Sequence, residues 1–587
     1  MRRFAALLAL ASLALGPAQA EAPRHNVLLF VAGGLRPGVV DPLATPAIAG
    51  MLRHGVRFTN MHAAFPTGAM PNAAALATGH LPGDTGIFAD TEDVGFPMPG
   101  ADGSRTPLLE NNAALADVNK HFGANLLTEA SIMAAARQAG LSTAAIGQAG
   151  AVLAFDLAAG DGQSTMIVDD RTGRSGGVPL SASLQQRVEA AKIVPMAPKR
   201  GTDAGDTAQQ DWFVQIATDA VLPALKERGA PFLLVFWLPD PDSTQAIQTD
   251  SLGRLLPGIN GVSSRAATRN VDHALATLQA ALTAQGLDQS TDLIVLSDHG
   301  SSTVTMESAT SFAAAQSFPD VPHGSLPPGF VAIDIAHSLQ MSLLDPDAGY
   351  APVPQGRYPL RGNALIGGGR DHPKVVVAAN GGADLIYVAD PTLALQVVSL
   401  LAGQDYTSGL FVADALGPVP GTLPLSAIGL TGTAKTPQPT IVVNFRSFTT
   451  GCNNPLTCGV EVADSARRQG QGSAGSFSRA DTASLAAAIG PDFRTGFVDT
   501  APVSTADWGC TVAHILGLTT AQQGNLAGRV LTEAMPGGAM PSVTRAAQAG
   551  PPDGAGRVTM IGIQTVLNER YVEAGGFLGR TLGLAWP

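Results

Sequence analysis

Asn26-Val27-Leu28-Leu29-Phe30-Val31, followed by Ala32-Gly33-Gly34-Leu35-Arg36-Pro37, decides the fold. A nearly continuous apolar run of this length reads as a strand buried on both faces. The glycine pair then predicts a turn. Further along, Thr45-Pro46 supplies an N-cap and a first-turn proline for a helix stopped by Gly55. Asn125 to Ala139 reads as a second helix, closed by Gly140 and followed by a short strand near Thr143 to Gly147. Phe232 to Trp237 and Asp292 to Ser297 are two more apolar strands. Between them Val271, Leu275, Leu278 and Leu282 recur at helical spacing up to Gly286. Strands alternating with amphipathic helices predict an α/β protein whose parallel or mixed sheet is covered on both faces.

Three of these strands run directly into chemistry-bearing turns. Gly33-Gly34 follows the first, Asp240-Pro241-Asp242-Ser243-Thr244-Gln245-Ala246 follows Trp237, and Asp298-His299-Gly300 follows Ser297. In open α/β sheets ligands gather at the carboxyl ends of strands, so the three turns point at one crevice. The Gly- and Pro-rich stretch 301–439 is expected to hold an inserted cap subdomain, with short strands near Lys374 to Ala378 and Asp384 to Val388. Thr440 to Phe445 reads as a return to a core-like strand, and Pro536 to Arg557 as a surface loop.

The first residues read as a secretory signal peptide, 1–20. Arg2 and Arg3 are the positive start, Phe4 to Leu15 the apolar stretch, and Ala18-Gln19-Ala20 the cleavage site. That run falls short of the roughly 20 residues a spanning helix needs. A periplasmic or secreted protein, with no membrane attachment after cleavage, is the expectation, and residues 21–587 form the main domain. With net charge −12 and only 14% charged residues, the chain advertises no basic surface for nucleic acid. Hydrophobic residues at 45% are ample for a core. Cys452 and Cys458 bracket a five-residue loop (Asn-Asn-Pro-Leu-Thr) and are expected to pair in an oxidising compartment. Cys510, in an apolar stretch, reads as a buried small hydrophobe rather than a nucleophile.

Taken with Phe65-Pro66-Thr67-Gly68-Ala69-Met70-Pro71-Asn72 and Gly472-Ser473-Ala474-Gly475-Ser476-Phe477, the ordered motifs resemble the alkaline phosphatase superfamily. Within it, they are similar to the type I phosphodiesterase/nucleotide pyrophosphatase branch. The resemblance implies a mostly parallel sheet sandwiched by helices, and metal-dependent hydrolysis of phosphate esters. It also implies two divalent metals, usually zinc, which polarise the phosphoryl group and activate a hydroxyl nucleophile. Carried over by position, Asp242, Asp298 and His299 are retained metal ligands, and Asn72 is the amide expected to bind phosphate oxygens. Gly33, Ala246 and Ala474 stand at lost ligand positions, and Ala69 stands where the nucleophilic hydroxyl belongs.

A hydrogen or a methyl group cannot replace carboxylate or imidazole lone pairs, and catalytic zinc needs about three protein ligands. The resemblance therefore implies a relative whose catalysis is impaired or lost. Two alternatives remain in view. One is an active hydrolase that recruits a displaced ligand such as His372 or His323. The other is a binding protein holding a small phosphate-bearing or glycan ligand without turnover. Each retained residue also has a plainer role open to it: Asp298-His299 as a helix cap, and Asp242 or Asn72 as turn residues. His62 and His80 read as local hydrogen-bonding residues. A sulfatase is disfavoured, since no Cys/Ser-x-Pro-x-Arg cassette surrounds Ala69.

Overall fold

The computed structural model describes residues 24–174, 176–194, 207–520 and 522–585. The expected signal peptide, 1–20, lies outside the described residues. The central sheet has nine strands. Eight of them run in the order Phe497–Asp499, Val56–His62, Ala483–Ile489, Thr291–Leu296, Asn26–Ala32, Phe232–Leu238, Ser142–Gly147, Met166–Asp169, and the short Val503–Ser504 pairs beside Val56–His62. Ala483–Ile489 is antiparallel to both neighbours; the other pairings are parallel. The α/β sandwich read from the sequence is thus present.

Why the first strand is apolar at successive positions is plain from its two faces. Val27, Leu29 and Val31 join one core with helices Ala69–Thr78 and Thr505–Ile515. Leu28, Phe30 and Ala32 join the opposite core, beneath helices Thr207–Ile216 and Val262–Ala284. Side chains alternate along a strand, so a strand covered on both sides must be apolar at every position. Each large side chain so buried contributes about 1.5–3 kcal/mol.

A second sheet of eight strands spans residues 343–445. Helices Phe330–Leu339 and Pro391–Ala402 pack on one of its faces, while the other meets Phe65, Phe477 and Ile561. Ile441–Phe445, expected to resume the central core, is instead an inner strand of this sheet, between Thr407–Val412 and Ala383–Val388. Its apolar run suits either sheet; pairing partners decide which. A four-stranded sheet joins Ser302–Thr305 to Gly459–Val462 and Gly472–Ser473, with Ser447–Thr449 at its edge.

Two further sequence expectations are corrected. The helix read over Asn125 to Ala139 is only Ile132–Gln138, because the Ser131 side chain accepts from Ala134 N and sets its start. Within the region read as a loop, Val543–Ala549 is a strand that pairs with Met560–Val566. Its side chains are mostly exposed, so no apolar alternation marked it.

Candidate active-site pocket

Strand ends and one sheet pairing assemble the pocket. Gly33 N donates to Leu238 O at 2.9 Å, and Asp242 N donates to Gly33 O at 3.0 Å, so the first and fifth strands in the chain leave the sheet side by side. Gly34 sits at φ +67°, and its N–H donates to Asp298 Oδ1 at 2.9 Å. A Cβ there would lie 2.9 Å from the Asp242 Cβ, so the left-handed glycine lets the turn pass between the two aspartates. On the far side Ser473 pairs with Ser302, which brings Ala474 toward His299. The cavity, about 110 Å³, is lined by Asp90, Asp242, His299 and Ala474, with Thr67, Asn380, Ser473 and Arg467 supplying further polar groups.

The retained residues have partners of their own. Asp298 Oδ1 accepts from the N–H groups of Gly34 and His299, while its Oδ2 is buried without a hydrogen-bond partner, 3.7 Å from His299 Nε2. Burial raises the Asp298 pKa. His299 Nδ1 donates to Gly300 O at 2.5 Å. Burial alone would lower its pKa, but the carboxylates of Asp298, Asp242 and Asp90 outweigh that and raise it to about 9. At neutral pH the imidazole is a cation.

At the positions read from the sequence as lost, the surroundings differ. Ala246, one turn along the helix Asp242–Ile247, and Ala69, at the start of Ala69–Thr78, are buried methyl groups. At Gly33 an added Cβ would lie 3.0 Å from Pro239 O and 3.2 Å from Leu238 O, so backbone carbonyls crowd any side chain placed there. His372 and His323 are exposed and lie outside the cavity lining. Thr67 does line the cavity, yet its hydroxyl donates to Ser476 O and accepts from Gly475 N.

Asn72, expected to bind phosphate oxygens, is turned elsewhere. Its Oδ1 accepts from Ala64 N and the Thr505 hydroxyl, and its Nδ2 donates to Ala64 O and Gly68 O. Fully buried, it braces the entry to helix Ala69–Thr78. The group that does face that helix end is Asp90, which the sequence reading missed. Asp90 Oδ1 accepts from Met70 N at 2.8 Å, and a Cβ on Gly68 would come within 2.6 Å of Asp90 Oδ2. The bare Gly68 makes room for the carboxylate. Burial and the neighbouring acids raise the Asp90 pKa, although Met70 N–H and His299 work in the other direction. The only sequence signal was an acid soon after Gly86-Ile87-Phe88, which nothing local distinguishes from a turn residue.

Outside the pocket, Cys452 and Cys458 form the expected disulfide. Cys510 is half-buried rather than fully buried, and burial raises its thiol to about 12, so it stays protonated. No helix among the described residues is long and apolar enough to cross a membrane.

The family model for type I phosphodiesterase / nucleotide pyrophosphatase matches residues 27–332. A search of curated proteins gives no match. Similar solved structures include murine ectonucleotide pyrophosphatase / phosphodiesterase 5, one of them an inactive form in complex with AMP. These are 16% identical with a TM-score of 0.44, covering 85% of this chain and 97% of theirs. The human counterpart is 15% identical with the same TM-score, covering 85% of this chain and 96% of its own.

Proposed function

The chain belongs to the type I phosphodiesterase / nucleotide pyrophosphatase family, within the alkaline phosphatase superfamily, and from that premise we propose that it is an exported relative that has given up phosphate-ester hydrolysis while keeping a polar ligand pocket. One observation carries this reading: the N-terminus of helix Ala69–Thr78, where a phosphoryl group would meet free N–H groups, already receives the Asp90 carboxylate. A phosphate arriving there meets a donor already occupied.

The metal side agrees. Gly33, Ala246 and Ala474 offer no lone pairs. Among the described residues, Asp90, Asp242, Asp298 and His299 bring no three ligand atoms within 4.8 Å of one another. On this reading the residues present do not fit a two-metal centre. Ala69 provides no hydroxyl, and the Thr67 hydroxyl is held in two hydrogen bonds. What remains is a pocket that can bind and orient. Asp90 and Asp242 accept hydrogen bonds, His299 and Arg467 donate, and Asn380, Thr67 and Ser473 provide neutral partners. That mixture suits a neutral, hydroxyl-rich ligand such as a glycan better than a phosphate dianion. Export is supported by the signal-like residues 1–20 and by the Cys452–Cys458 disulfide.

The test pairs elemental analysis with turnover of bis(p-nitrophenyl) phosphate in added zinc. Turnover at the buffer background is expected. Two bound zinc ions per chain, with turnover abolished by Asp242→Asn, would overturn the reading. A thermal-shift panel of neutral oligosaccharides and phosphate esters tests the ligand class, and stabilisation confined to phosphate esters counts against it.

A further inference from the structure

At the opposite, amino end of the central sheet stands a different group of ligands. His25 immediately precedes the first strand, Asp292 lies in Thr291–Leu296, and Asp492 follows the strand Ala483–Ile489. One ligand atom from each lies within 4.8 Å of the others, the only such trio among the described residues. Ligands sharing a tetrahedral zinc-sized ion at about 2.0–2.2 Å sit roughly 3.3 Å from each other, so modest side-chain adjustment closes the set.

Two features go beyond a cluster of acids. Asp292 has no solvent exposure, and its Oδ2 has no hydrogen-bond partner. Its Oδ1 accepts from Asp492 N at 3.0 Å, which fixes the carboxylate beside that of Asp492. A buried carboxylate oxygen with no donor is costly unless a proton or a cation fills the gap. The approach itself requires Gly490: a Cβ there would lie 2.3 Å from Asp292 Oδ1, and φ is +152°. His25 Nδ1 stands 2.8 Å from Asp492 Oδ2, and both residues are half-buried, which leaves an entry path from solvent.

We propose that His25, Asp292 and Asp492 bind one divalent transition-metal ion of the zinc type, which clamps the start of the first strand to the sheet. One imidazole and two carboxylates form a borderline donor set that suits zinc or cobalt, with water completing the coordination. The site is structural, since it sits at the amino ends of inner strands, at the opposite end of the sheet from the pocket. It stands independently of the proposed function.

Cobalt(II) titrated into the full chelator-treated protein tests this through its visible absorption band and through thermal melting. One cobalt per chain, a raised melting temperature, and at least a tenfold weaker affinity in both His25→Gln and Asp492→Asn are expected. His25→Gln alters a half-buried side chain that precedes the first strand, so the variant is expected to fold. The double variant Asp242→Asn/His299→Gln should keep the band. A parent protein that binds no cobalt overturns the proposal, because the gap is then filled by a proton shared between the two carboxyls. Binding lost in the Asp242/His299 variant but kept in His25→Gln also overturns it, by locating the ion in the pocket.

Discussion

At the carboxyl tips of strands Asn26–Ala32 and Thr291–Leu296, Gly34 N–H donates to Asp298, and His299 shares a cavity with Asp242 and Ala474, whereas Gly33 and Ala246 do not line it. At the amino tips of the same two strands, His25 and Asp292 stand with Asp492 and lack nothing obvious but an ion. Part of the hydrogen-bonding capacity at the first tip goes to the scaffold. Asp298 holds two backbone N–H groups, and Asp90 holds the start of a helix. At both tips one carboxylate oxygen, Asp298 Oδ2 and Asp292 Oδ2, has no hydrogen-bond partner, but among the described residues only the second tip gathers three ligand atoms within 4.8 Å of one another. The contrast teaches that a pocket's shape and its chemistry are maintained by separate interactions. Hydrogen bonds to backbone, such as those Asp298 Oδ1 accepts, fix a carboxylate in place, whereas ion binding needs several donor atoms gathered at one point.

The sharpest way to break the comparison is to rebuild the first tip. Gly33→Asp, Ala69→Thr, Ala246→His and Ala474→His restore donors and hydroxyl, but Asp90 still occupies the helix end. The four changes together are expected to leave phosphodiester turnover near background, and adding Asp90→Asn to raise it about 10³-fold or more, near 4 kcal/mol of barrier. Equal activity with and without the fifth change would remove Asp90 from the account. Crowding at Gly33 should lower the melting temperature of both variants.

Next in size is Asn72. Replacing it with Ala abandons four hydrogen bonds in a fully buried place and is expected to cost about 2–4 kcal/mol, read from the urea midpoint. A ligand-binding asparagine would show instead a loss of binding with stability unchanged.

Glycines then compare the two tips directly. Gly34→Ala meets Asp242 and a left-handed backbone, and Gly490→Ala meets Asp292. Each should cost on the order of 1–3 kcal/mol in chemical denaturation. Only Gly490→Ala should also weaken cobalt binding.

The smallest effect is a slope with pH. Burial raises Glu92, two residues from Asp90, to about 8 against an ordinary 4.5. Between these values the folded chain holds a proton that the unfolded chain has released, so stability falls as pH rises through the window. His299 tilts the curve the same way: raised from 6.5 to about 9, it contributes stability present below 6.5 and lost as pH climbs through 9. Melting temperature should drop by a few degrees between pH 5.5 and 8.5. Glu92→Gln should flatten the acid half, and a slope unchanged in that variant would show that Glu92 does not carry it.

Much of the sheet could be read in advance because buried strands must be apolar at every position, as Leu28 to Val31 and Phe232 to Trp237 are. The turns that follow them were legible for the same reason: Asp242 and Asp298 are placed by where strands stop. What escaped depended on distant partners. Ala483–Ile489 is a run of mostly small residues whose strand character comes from being flanked by Val56–His62 and Thr291–Leu296. Asp90 gains its meaning from Met70 and Gly68, and Asn72 loses its expected one to Ala64 and Thr505. His25 and Asp492 meet across a sequence separation of 467, beyond the reach of any local pattern.

The inner position of Ile441–Phe445 has a practical consequence for anyone trimming this molecule. Excising 301–439 as a removable cassette would take away every other strand of its sheet, leaving one apolar ribbon with both ladder edges bare. Such a ribbon recruits copies of itself, so the shortened protein should precipitate rather than display an uncovered pocket.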